Sequence, residues 1–152
     1  MLRIPIAATR AASIGIGIAL AIGTTVARAN SFSVTPNISG GFGQYRWDIA
    51  IDGGAASGNP DLTLYTGQQY TFNVSTSSIH PFWIKTAPST GPGNAYAGTG
   101  LSANGVAMPS TITFDVPIDA PTTLYYNCGN HAEMTGVITV IHDLIFRDGF
   151  GP

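Results

Sequence analysis

Short runs of alternating apolar and polar residues, broken by turn residues and with no convincing helical period, predict an all-β fold: an antiparallel β-sandwich of seven to eight strands. That number of short strands suffices for two sheets packed face to face around one core.

The chain opens on a segment of a different kind. Arg3 and Arg10 supply a positive n-region, residues 11–23 read AASIGIGIALAIG, and Ala27-Arg28-Ala29 forms an A-x-A cleavage site. The apolar run falls short of the roughly 20 residues needed to span a bilayer. Residues 1–29 are therefore expected to be a cleaved signal peptide, with a secreted or periplasmic mature chain beginning at Asn30. An uncleaved anchor is the alternative.

Beyond it, Tyr45, Trp47, Ile49 and Ile51 alternate with polar or small neighbours until Gly53-Gly54 and Gly58-Asn59-Pro60 break the run. Leu62 and Leu64 begin a second strand, and residues 69–75 alternate through Tyr70, Phe72 and Val74. Residues 79–86 follow the Ser77-Ser78 pair as a further strand. Residues 87–109, rich in Gly, Pro, Ser, Asn and Ala, show no period, and so long a connection in a small domain is usually functional or mobile. Ile112, Phe114 and Val116 alternate before Pro117, Leu124, Tyr126 and Cys128 do the same, and residues 136–141 read as the last strand. The domain thus runs over 30–142, with 143–152 a loosely ordered tail or a sorting or docking signal. Trp47, Tyr70, Phe72 and Phe114 are expected in the core, where large aromatics bury most area.

Loss of the first 29 residues removes three of the six basic residues and none of the eight acidic ones. Nucleic acid, which is held by clustered Lys and Arg, is excluded as a partner, while a partner with a basic face is not. Cysteine usage is more telling. A secreted chain normally pairs its cysteines, yet Cys128 is alone. It is an intermolecular bridge, a buried thiol, or a thiol committed to a metal.

Cys128, His131 and Met134 stand in a C-x-x-H-x-x-M spacing. By strand parity Cys128 shares the inner face with Leu124 and Tyr126, and Gly129-Asn130 lets the chain turn so that thiol, imidazole and thioether converge. A trigonal copper centre needs a second imidazole. His80 can supply it from a neighbouring strand, whereas His142, eight residues beyond Met134, would lie some 25 Å along an extended chain.

This pattern, a lone upstream His followed by a Cys-x-x-His-x-x-Met loop between the last two strands, resembles the cupredoxin (blue copper) family. The spacing is similar to the short amicyanin-type loop rather than the longer plastocyanin-type one. The resemblance implies a Greek-key sandwich with one copper ion, Cu(I)/Cu(II), in the plane of His80, Cys128 and His131, and Met134 as a weak axial ligand. It further implies a one-electron carrier and not an enzyme, a monomer that meets redox partner proteins, with His131 as electron exit and His80 the more buried ligand. One departure is Pro81, where the family commonly has an Asn that ties the ligand loops together; proline brings no N–H.

Other readings stay open at this level. Zinc or a differently ligated copper would use Glu133 or His142 in place of Met134. A catalytic thiol would use His131 or His80 as base, and a metal-free structural sandwich would bury Cys128 as an ordinary core residue. Copper delivery or storage is the alternative to electron transfer. Phe82, with the parity of His80, is placed either in the core or as a shield over the metal.

Overall fold

The computed structural model describes residues 30–142; the expected signal peptide and the tail lie outside the described residues. Period-two burial builds the first sheet. Phe32 and Val34 of β1 (Ser31–Asn37) face inward while Ser33 and Thr35 face water, and Trp47 and Ile49 of β2 (Arg46–Ile51) do likewise. The same alternation runs through β5 (Gln69–Val74) and β7 (Ser110–Asp115), and a two-residue β3 (Ser57–Gly58) ends the sheet in the order β3-β2-β1-β5-β7. The second sheet has the order β4-β9-β8-β6, from β4 (Leu62–Tyr65), β9 (Thr135–Ile141), β8 (Thr123–Cys128) and β6 (Phe82–Lys85).

The all-β sandwich is as expected, and no helix occurs among the described residues. Two details differ. The described strands number nine, because β1 and the short β3 carry too little local pattern to be read; β1 has only Phe32 and Val34 before Pro36 interrupts it. The sheets are also mixed: β1 pairs with β5 and β4 with β9 in parallel, the other five pairings being antiparallel. Parallel partners are joined by long connections, so no local turn signal announces them.

Phe82 joins the two layers. Its ring meets Trp47 edge-on at 5.1 Å and Phe72 at 6.1 Å from the first sheet, and stacks on Tyr126 at 6.0 Å in its own. It pairs across the ladder with Cys128, so the thiol sits where the packed core reaches one end of the sandwich.

The connection after β6, residues 86–109, which takes in the patternless stretch 87–109, is well bonded. Phe82 and Thr86 donate backbone N–H groups to the carbonyls of Val106 and Asn94, and Tyr96 donates to Ile84. The Asn104 side chain accepts from the Ile84 N–H at 2.8 Å and donates to the Ile84 carbonyl at 2.8 Å, taking the place of a neighbouring strand. This segment therefore covers the outer edge of β6, an edge that would otherwise offer unpaired backbone groups.

Candidate metal centre

Two segments bring donors to that end of the sandwich. His80 closes a turn, with its N–H bonded to the Ser77 carbonyl and its own carbonyl held by the Thr76 hydroxyl, just before β6 begins. Cys128 ends β8, and His131 lies in the connection to β9. That connection is a tight loop: Cys128 donates its N–H to the Met134 carbonyl at 2.9 Å, and Met134 donates to the His131 carbonyl at 3.3 Å. Met134 is fully buried immediately before β9.

The donor atoms converge. Cys128 Sγ lies 3.5 Å from His131 Nδ1 and 3.8 Å from His80 Nδ1, and donor atoms of all three residues lie within 4.8 Å of one another. Metal–sulfur and metal–nitrogen bonds of roughly 2.3 and 2.0 Å, opened to about 120°, place the two atoms about 3.7 Å apart. The site therefore fits one ion held by one sulfur and two nitrogens. Two imidazoles and a thiolate in a trigonal set, with a thioether near by, are donors that suit copper. The site is cupredoxin-like.

No protein-family model matches the chain, and no curated protein does. Among solved structures it is similar to rusticyanin from Thiobacillus ferrooxidans, at 20% identity over 73% of this chain and 76% of that one, with a TM-score of 0.45. A rusticyanin mutant is similar at 18% identity over the same shares, 73% and 76%, with a TM-score of 0.49. A purple cupredoxin from Nitrosopumilus maritimus is similar at 12% identity over 74% of this chain and 99% of that one, with a TM-score of 0.45.

Electrostatics of the cupredoxin-like site follow from its burial. Cys128 is inaccessible, and burial pushes its thiol up, partly opposed by the backbone N–H groups of Asn130 and His131. Burial also holds the His80 imidazole below its ordinary value, with repulsion from His131 adding to the effect and Glu133 opposing it. His80 is 6% exposed, while His131 is half-buried. A neutral imidazole is the form that ligates a metal, so burial already favours it at His80.

The rival arrangements find less support. His142 Nδ1 lies 3.1 Å from the Ile118 carbonyl beyond the last strand, outside the cluster. Glu133 is in the loop but spends Oε1 on the Gly43 N–H at 3.2 Å, and among the described residues no carboxylate joins the three donors. A nucleophilic cysteine needs an accessible, depressed thiol, and Cys128 is the opposite on both counts. Phe82 lies among core rings.

Several residues read in sequence only as turn formers also hold the site, through distant partners that local pattern does not announce. Asn59, at positive φ, accepts from the Trp47 N–H and donates to the Glu133 carbonyl at 2.8 Å, fixing the ligand loop to the first sheet. Asn130 donates its side-chain amide to the Ile79 carbonyl at 2.8 Å and its backbone N–H to Cys128 Sγ at 3.4 Å. Gly129 donates to the Pro81 carbonyl at 2.7 Å. The tie between ligand loops, which Pro81 cannot make through a side chain, is thus made from the other side by Asn130.

Proposed function

We propose that the chain is a copper-binding one-electron carrier in which His80, Cys128 and His131 would hold the ion, with Met134 as a further, weaker ligand. The observation that carries this reading is the convergence of one thiol and two imidazoles, from two segments 48 residues apart, at spacings that a single ion requires. When bound, copper supplies exchange of one electron between its cuprous and cupric states. The chain's own residues keep the donors where they are, since both loops are tied by Asn130, Gly129 and Asn59 and three of the four proposed ligands are buried. Donors that cannot rearrange keep the geometry between the preferences of the two oxidation states, which keeps reorganisation small. The partly exposed His131 is the exit for the electron. Copper delivery is disfavoured by the burial of Cys128 and Met134, which an exchanging site would present to its partner. Export follows from the expected signal peptide, and no helix of the described residues is long and apolar enough to cross a membrane.

Copper titration with voltammetry tests the reading. The expected result is one ion per chain, a reversible one-electron wave, and loss of tight binding in His80→Ala and Cys128→Ser. Rapid copper loss to a partner chelator with no reversible wave would favour delivery instead.

A further inference from the structure

The connection between β1 and β2 crosses the two imidazoles. Tyr45, half-buried at its end, meets both rings edge-on, at 5.8 Å from His80 and 5.0 Å from His131. Phe42 meets Tyr45 and His131, each at 6.0 Å, yet its side chain is 87% exposed, so burial does little to hold it there. The connection folds on itself through two turns, from the Gly41 N–H to the Ile38 carbonyl at 3.3 Å and from the Gln44 N–H to the Gly41 carbonyl at 3.1 Å, with Gly41 and Gly43 on either side of Phe42 at φ of +79° and +85°, values that glycine adopts freely. Among the described residues, the hydrogen bond that joins this connection to the ligand loop runs from the Gly43 N–H to Glu133 Oε1, at 3.2 Å.

We propose that the 38–45 connection is a cover that sets access to the centre, with the Tyr45 ring as its plug and Glu133 as the positioning residue that latches it to the ligand loop. An aromatic edge against both imidazoles blocks the approach to the donors between them. The carboxylate ties the turn around Phe42 to the ligand loop, and without that bond the turn can swing outward as a unit on its glycine flanks. The cover concerns the same centre as the proposed copper site, but it is equally a property of the metal-free chain.

The test is the rate at which iodoacetamide alkylates Cys128 in the metal-free protein, followed by mass, alongside the rate at which a cuprous chelator strips the copper-loaded protein. Loss of a hydrogen bond to a charged group is expected to raise alkylation about tenfold in Glu133→Ala. Tyr45→Ala should raise it further, and Tyr45→Phe should leave it unchanged because the ring is the barrier. Opening of the cover is local, so the faster rates should be flat at low urea, whereas global unfolding rises with urea from the start. Wild-type alkylation rates in both alanine variants, or rates that rise with urea throughout, would overturn the cover. Because alkylation needs no copper, a chain that takes up none yet shows this order of rates would count against the proposed function alone.

Discussion

The sulfur of Cys128 receives a backbone N–H from Asn130, and the Asn130 side chain reaches the loop that carries His80. These two roles can be separated. Asn130→Ala removes the side-chain tie but keeps the backbone donor, so the melting temperature should fall, by about 1 kcal/mol of stability, with little change in potential. Pro81→Asn acts in the other direction. Residue 81 already lies against the ligand loop, through its carbonyl and with its ring close to where a Gly129 side chain would be. An added N–H there would draw electron density from the thiolate and favour the cuprous state. The potential should rise by some tens of millivolts, where about 59 mV is a tenfold change for one electron. An unchanged potential in a well-folded variant would mean that the Asn130 and His131 N–H groups already set the hydrogen bonding at sulfur.

At the scale of elements, the connection after β6 turns on one buried polar side chain. Lys85 is wholly buried, and its ammonium is satisfied by the Ser89 hydroxyl and the Gly91 and Gly93 carbonyls at 2.6–3.0 Å. Lys85→Met would orphan those acceptors, at a cost of about 1–3 kcal/mol, while copper stoichiometry should stay at one; calorimetry and metal analysis on the same sample check both. The start of β1 depends on Asp52, which accepts from the N–H groups of Asn30 and Ser31, and these bonds depress its carboxyl. A depressed carboxyl stabilises the fold above its unfolded value, near 3.9, and that contribution fades as pH falls through the lower folded value. Asp52→Asn should therefore melt earlier than wild type at neutral pH and match it near the acid end. If cleavage follows Ala29, the new amino group at Asn30 faces this same carboxylate, so the difference should be larger in the processed chain. None of this was legible in sequence. A Lys near the end of a predicted strand looks solvent-facing, and an Asp between Ile51 and Gly53 looks like ordinary loop chemistry, until the fold supplies their partners.

Over the whole molecule, what could be read was whatever local pattern encodes. Period-two alternation announced most strands, and the lone Cys128 with His131 and Met134 at fixed spacing announced the ligand loop. His80 followed by elimination among three histidines, and the structure brings it within 3.8 Å of the sulfur. What depends on distant segments stayed hidden: the parallel pairings of β1 with β5 and β4 with β9, the ordered edge cover in 86–109, and the Tyr45 edge over both imidazoles. Each arises only when the two sheets close on one core. The sandwich is thus the frame, and its ligand-bearing end is the working part. The absorption spectrum of the copper-loaded protein, taken before and after reduction and in Cys128→Ser, tests that assignment most directly. An intense visible band that bleaches on reduction, persists in His142→Ala and is missing from the serine variant is the predicted result. A colourless copper-loaded protein, or a serine variant that keeps the full band, would contradict it.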